Sequence, residues 1–140
     1  MMRHLAAIAF LMSTYTAHAV PSDQLDQQHP LFGKWTWTRS VNNCTETYDF
    51  RSNGIKYVTS GEERTEATYY VSDQPDAKGF YVLTDKITKD YGGKDCGDDL
   101  TDSTGEEATI YVRFHKSGNM ILMCFSESLN KCFGPLKRVK

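Results

Sequence analysis

Apolar side chains recur at every second position through most of the chain after residue 32. In the segment Gly-Lys-Trp-Thr-Trp-Thr at 33–38, Trp35 and Trp37 stand on one face of an extended strand, and two threonines stand on the other. Comparable alternation marks residues 45–50, 64–72 and 109–114, and no stretch of ten residues has a convincing helical apolar period. The pattern predicts an all-β domain.

Short turns separate these segments. Ser-Asn-Gly at 52–54 and Ser-Gly at 117–118 supply residues that accept the positive φ of tight hairpins. Strands joined by such turns pair with their neighbours in sequence, and closure of the sheet removes its unpaired edges. We therefore expect an antiparallel up-and-down meander of about seven to eight strands that closes into a small barrel. A connection from about residue 86 to residue 107 is the main interruption.

The first part of the chain has a different pattern. Residues 1–19 combine an arginine, a short apolar run and Ala17-His18-Ala19, which is the small-x-small pattern that precedes signal peptidase cleavage. The apolar run is far shorter than the roughly 20 residues that cross a bilayer. Residues 20–31 lack an apolar period and predict a flexible leader. We expect a signal peptide at 1–19, this leader, and a β-barrel domain at 32–140 in the periplasm or secreted, with no membrane anchor after signal removal.

The cysteine pattern fits an exported protein. All four cysteines follow the predicted signal peptide, and an even number in an oxidising compartment predicts two disulfides. A zinc site is the alternative, but no pair has C-x-x-C spacing and no histidine flanks a cysteine. Of the possible pairings we favour Cys124–Cys132, which would clip a local hairpin, and Cys44–Cys96, which would tie an early strand to the long connection.

Charge narrows the classes of partner. The formal net charge is −2, and loss of Arg3 with the signal peptide would make it −3. The sequence has no basic stripe of the kind that binding to a nucleic acid requires, so we expect no nucleic-acid partner. Calcium sites need oxygen ligands at set positions, and the EF-hand spacing is absent. We therefore expect no metal and no cofactor, and interpret residues 86–107 as a solvated acidic loop. Its seven acids are Asp90, Asp95, Asp98, Asp99, Asp102, Glu106 and Glu107.

Gly33-Lys34-Trp35 at the start of the first strand, followed by a meander in an exported chain, resembles the opening of the lipocalins and related calycin barrels. The resemblance implies a tryptophan that closes one end of the barrel against a cation near the last strand, here Arg138 or Lys137. It also implies an interior that holds a small apolar ligand. The chain is similar, too, to small exported bacterial barrel proteins of unassigned role, and no catalytic residue follows from either likeness.

Two functional classes fit these features. The first is a non-enzymatic binding protein that holds a small apolar ligand, with Trp37, Tyr57, Tyr69 and Phe80 as candidate cavity residues. The alternative for these aromatic residues is that they fill a small solid core. The second class is an exported protein-binding module, such as an inhibitor or immunity-type protein, that acts through its acidic loops. We expect no enzyme, because no histidine stands in the context of a catalytic triad.

Overall fold

A computed structural model describes residues 29–140, and these residues form a closed antiparallel barrel of eight strands. Each strand pairs with its neighbour in sequence, and β1 also pairs with β8 to close the barrel. The predicted all-β meander is confirmed. The strands are β1 (Gly33–Thr38), β2 (Thr45–Phe50), β3 (Ile55–Ser60), β4 (Glu63–Val71), β5 (Phe80–Asp90), β6 (Glu107–Phe114), β7 (Met120–Cys124) and β8 (Cys132–Arg138).

The described chain begins with residues that pack on the barrel. Leu31 is completely buried, and its carbonyl oxygen accepts a 2.8 Å hydrogen bond from Trp35 Nε1. The His29 ring packs edge-on against Tyr81 at 5.0 Å. Within the segment predicted as a leader at 20–31, residues 29–31 therefore lie against the barrel. The predicted signal peptide at 1–19 and residues 20–28 of the leader lie outside the described residues.

Trp35 and Arg138 seal this end of the barrel. The indole is completely buried, and Arg138 Cζ lies 4.1 Å from its ring centroid. The same guanidinium donates hydrogen bonds to the carbonyl oxygens of Phe32, at 2.8 Å, and Pro30, at 2.5 Å. Of the two cations expected here, Arg138 makes the contact and Lys137 is exposed. Behind this seal lies an apolar core that includes Leu31, Phe50, Val71, Val112, Ile121 and Leu136.

Both predicted disulfides form, and all four cysteines lie within residues 29–140. Cys124–Cys132 bridges the ends of β7 and β8, whose residues 124 and 132 also pair in the sheet. Cys44–Cys96 joins the segment before β2 to the connection between β5 and β6. An oxidising extracytoplasmic environment is compatible with this pair of bridges.

The connection between β5 and β6 is shorter than expected. Strand β5 continues to Asp90, so only residues 91–106, here called the acidic loop, lie between the two strands. The extra length arises because β5 pairs with β4 as far as Thr65↔Asp90 and with β6 as far as Lys86↔Glu107. Among the described residues, no helix is long and apolar enough to cross a membrane.

Candidate functional site: the barrel cavity

A cavity of about 580 Å³ lies inside the barrel, on the side of the core away from Trp35. Its volume is within the usual range for small-molecule sites. It opens toward the end of the barrel where the loops 39–44, 61–62, 91–106 and 125–131 meet, here called the mouth. The floor is apolar and consists of the buried side chains Leu83, Ile110 and Met123.

Aromatic rings form part of the cavity wall around Phe133. The Phe133 ring centroid lies 5.5 Å from that of Trp37, 6.1 Å from that of Tyr48 and 5.8 Å from that of Phe125. All four of these side chains line the cavity. Trp37, Tyr48 and Phe133 belong to the neighbouring strands β1, β2 and β8, and Phe125 directly follows β7, which pairs with β8. We call Trp37, Tyr48 and Phe133 the aromatic group.

The part of the wall next to the aromatic group is polar. Glu46 Oε2 accepts a 2.6 Å hydrogen bond from the Tyr48 hydroxyl, and Glu46 Oε1 accepts one of 3.1 Å from Ser60 Oγ. Burial and the adjacent Glu46 carboxylate raise the pKa of Tyr48 well above its ordinary value, so the phenol remains a donor at neutral pH. Deeper in the same wall, Lys56 and Asp85 form an ion pair with both side chains more than nine-tenths buried.

The acidic loop is fastened across the mouth. The Lys94 carbonyl oxygen accepts hydrogen bonds from the backbone N–H groups of Glu62 and Glu63, at 2.9 and 3.2 Å. Gly93 has a φ of +98°, and a Cβ there would lie 2.5 Å from the Glu62 carbonyl oxygen, so the approach requires glycine. With the Cys44–Cys96 bridge, these contacts place Asp95 and Asp99 at the cavity lining.

Glu63 stands at the start of β4 beside this loop. Partial burial is the largest cause of its raised pKa and, together with the nearby carboxylates of Asp90 and Asp95, brings the pKa to about 7. The charge of the mouth therefore depends on pH near neutrality. A proton on Glu63 also permits the hydrogen bond between the Glu63 and Asp90 side chains that contributes to the raised pKa.

Carboxylates outnumber cations around the cavity. Among the described residues that line it, two carry positive charge, Arg39 and Lys56, and Lys56 is already paired with Asp85. The six acidic residues of the lining are Glu46, Glu63, Asp85, Asp95, Asp99 and Glu106. Within residues 29–140, no group of three or more His, Cys, Asp or Glu side chains is arranged to hold a metal ion.

The four aromatic residues expected to share a cavity are not brought together. Trp37 lines it, whereas Tyr69 packs edge-on against Phe50 in the core at 5.3 Å. Tyr57 points outward between the inward residues of β3 and is 43% exposed. Phe80 is buried on the outer face of β5, against Tyr111 and Arg113. Successive side chains on a strand alternate between faces, which separates Tyr57 and Phe80 from the interior.

The polar cavity residues Glu46, Lys56, Ser60 and Asp85 were missed by the sequence analysis, which considered only aromatic side chains for the cavity. The inward position of Glu46 could have been predicted, because Glu46 lies at alternate positions with Tyr48 and Phe50 and therefore on the same face of β2. In β3 each face carries both apolar and polar residues, so alternation alone does not identify the inner face.

Comparison of the chain with known protein families, curated proteins and solved structures gives no match.

Proposed function

We propose that the chain is an exported, non-enzymatic binding protein that holds a small molecule in the barrel cavity. The observation that carries the proposal is an interior volume of about 580 Å³ with an apolar floor and an opening at one end only, the other being sealed by Trp35 and Arg138. A solid core would leave no such volume. The two disulfides suit a protein of the periplasm or the extracellular medium.

The architecture supports a likeness to the lipocalins. The closed eight-strand meander and the packing of Arg138 on Trp35 match what that resemblance implied for a barrel with one closed end. In such a barrel the ligand enters at the mouth, and here its apolar part would rest on Leu83, Ile110 and Met123.

The neutral fluorescent probe N-phenyl-1-naphthylamine tests the proposal. We expect saturable binding of one probe per protein, with quenching of Trp37 emission because that indole lines the cavity. Val58→Trp fills the interior from β3 and should weaken probe binding at least about tenfold, since it removes the volume that the ligand occupies.

Tyr57→Trp is the matched control. It adds an indole at the adjacent position of the same strand, but on the outer face, and should bind the probe as the wild type does. Circular dichroism and thermal melting verify that both variants fold. Probe binding that survives Val58→Trp in a folded protein, or no saturable binding by the wild type, would exclude a ligand in the cavity.

A second candidate, the protein-binding module, is favoured by exposed apolar side chains on three loops of the mouth. Val41, Leu100 and Phe125 are all more than half exposed, among acidic residues of the loop 91–106. A basic protein partner would bind this rim with an affinity that falls as salt rises. Cross-linking in an extract of the producing cell, with Leu100→Asp compared with Tyr70→Asp on the outer wall, tests it. Loss of a salt-sensitive cross-link in Leu100→Asp alone supports this function, and equal behaviour of the two variants excludes it.

A further inference from the structure

We propose that the cavity selects a small molecule with an alkylated ammonium group and an apolar tail, the cationic group being held between Glu46 and the aromatic group. This inference rests on the proposed function and specifies the chemical class of the ligand. It concerns a site inside the barrel, where the polar and aromatic groups line the same cavity.

The aromatic group supplies the first argument. Trp37, Tyr48 and Phe133 present rings whose centroids are 5.5 and 6.1 Å apart in successive pairs, all at the cavity surface. The face of an aromatic ring attracts a cation within about 6 Å, and clusters of such faces are the usual recognition element for quaternary ammonium groups. Phe125 extends the same wall toward the mouth, at 5.8 Å from Phe133.

Glu46 supplies the second argument. Its register partner on β1 is Trp37, so the carboxylate and the indole are direct cross-strand neighbours on the inner face. Both carboxylate oxygens accept hydrogen bonds from neutral hydroxyl groups, those of Tyr48 and Ser60. No cationic side chain of the described part of the chain lies within ion-pair distance of Glu46. The carboxylate is thus held in place, and a ligand cation would neutralise it.

The remaining lining fits the same ligand. The ion pair of Lys56 with Asp85 is internally balanced, which leaves Arg39 as the cation opposing the carboxylates of Glu46, Glu63, Asp95, Asp99 and Glu106. An excess of one charge in a cleft with low-dielectric walls concentrates ligands of the opposite charge. Beyond the aromatic group, Leu83, Ile110 and Met123 offer an apolar surface for a tail.

Three ligands of similar tail length separate charge from hydrophobicity: octyltrimethylammonium, octanoate and 1-octanol, each measured by calorimetry and by displacement of N-phenyl-1-naphthylamine. We expect octyltrimethylammonium to bind at least about tenfold more tightly than the other two, because it alone gains from Glu46 and the ring faces. Its affinity should fall as salt is raised, while that of 1-octanol should not.

Two variants assign the preference to the named groups. Glu46→Gln keeps the side-chain shape and should lower octyltrimethylammonium affinity at least about tenfold while leaving 1-octanol unchanged. Phe133→Leu removes a ring but stays apolar, and should cost the cation about threefold or more. Glu107→Gln, an exposed acid that pairs with Lys86, is the matched control and should bind all three ligands as the wild type does.

The outcomes distinguish the two proposals. If N-phenyl-1-naphthylamine and 1-octanol bind but octyltrimethylammonium binds no more tightly than octanoate, the cation inference is wrong and the cavity function stands. The inference is also wrong if Glu46→Gln and Glu107→Gln have equal effects on the cation. If no ligand binds, both proposals fail together.

Discussion

Trp35 and Trp37 lie two residues apart on one face of β1 but have different surroundings. Trp35 is completely buried between Leu31 and Arg138, whereas Trp37 borders the cavity and contacts the Phe133 ring. The same side-chain type therefore packs in the closed end at one position and lines the cavity at the other.

Trp35→Ala should severely destabilise the protein. The change removes the apolar contacts of a fully buried indole and leaves a cavity, at a cost of about 3–5 kcal/mol in the free energy of unfolding. That is a large part of the stability of a small domain. Denaturant unfolding measures it, and a variant as stable as the wild type would contradict the sealed end described above.

Trp37→Ala should have a smaller effect on stability and a larger one on binding. The indole already faces an open volume, so its removal enlarges the cavity without creating a new void in the core. We expect a folded protein with altered affinity for N-phenyl-1-naphthylamine. Thermal melting and probe titration of the two tryptophan variants side by side measure this, and a large loss of stability with unchanged probe binding would indicate a solid core.

Glu63→Gln should change how stability depends on pH. The pKa of Glu63 rises from its ordinary 4.5 to about 7 on folding, so the folded state binds the proton more tightly. Its favourable contribution is present at low pH and is lost as pH rises from about 4.5 through about 7. Glu63→Gln should therefore be more stable than the wild type above about pH 7, by roughly 1 kcal/mol because solvent screens this partly exposed group. Urea unfolding at about pH 5 and pH 8 measures the difference, which should be smaller at the lower value.

Among the larger elements, the acidic loop is the one whose position depends most on a disulfide, Cys44–Cys96. Cys96 is buried, its N–H donates to Ser60 Oγ at 3.0 Å, and its disulfide to Cys44 spans 52 residues. Without the bridge, the loop keeps hydrogen bonds alone, such as those that the Lys94 carbonyl oxygen accepts from Glu62 and Glu63 and the one that Asn42 Nδ2 donates to the Cys96 carbonyl oxygen. The loop that covers one side of the mouth would then be held weakly.

Removal of Cys44–Cys96 should cost more stability than removal of Cys124–Cys132. On the loop-entropy account the two bridges contribute about 4 and about 2.5 kcal/mol, because the first closes the longer loop. Double serine variants of each pair, compared by urea unfolding, measure the order. The reverse order would mean that the local bridge stabilises the folded state beyond its effect on the unfolded chain.

The strands could be predicted from the sequence because their periodicity is local. The residues of the interior could not, because they depend on how distant strands are paired in register. Alternation placed Trp35 and Trp37 on one face, and spacing led to both disulfides. The polarity of the cavity escaped because an inward Lys56 is acceptable only opposite Asp85, 29 residues away, and no local pattern shows that pairing. The register of the last strand is equally non-local: β8 runs through Pro135 to Arg138, and its pairing with β7 is irregular between Ile121 and Met123.

At the scale of the whole molecule, the two ends of the barrel have separate roles. The sealed end holds Trp35, Arg138 and the core, while the mouth carries the acidic loop and the exposed side chains of Val41, Leu100 and Phe125. Because the apolar core and the contact of Arg138 with Trp35 lie at the sealed end, substitutions of the exposed side chains Val41, Leu100 and Phe125 can change recognition with little effect on folding.

The pairing of β1 with β8 also determines when the barrel can close during folding. The pairs that close the barrel, Trp35↔Arg138 and Thr36↔Lys137, join positions about a hundred residues apart, and Arg138 reaches Phe32 across a separation of 106. Contacts of such high sequence separation form late and slow folding. While the chain is being synthesised, β1 has no partner on its open side until the last strand has emerged. Until that moment the Trp35 indole lacks its cation, and the barrel stays open between its first and last strands.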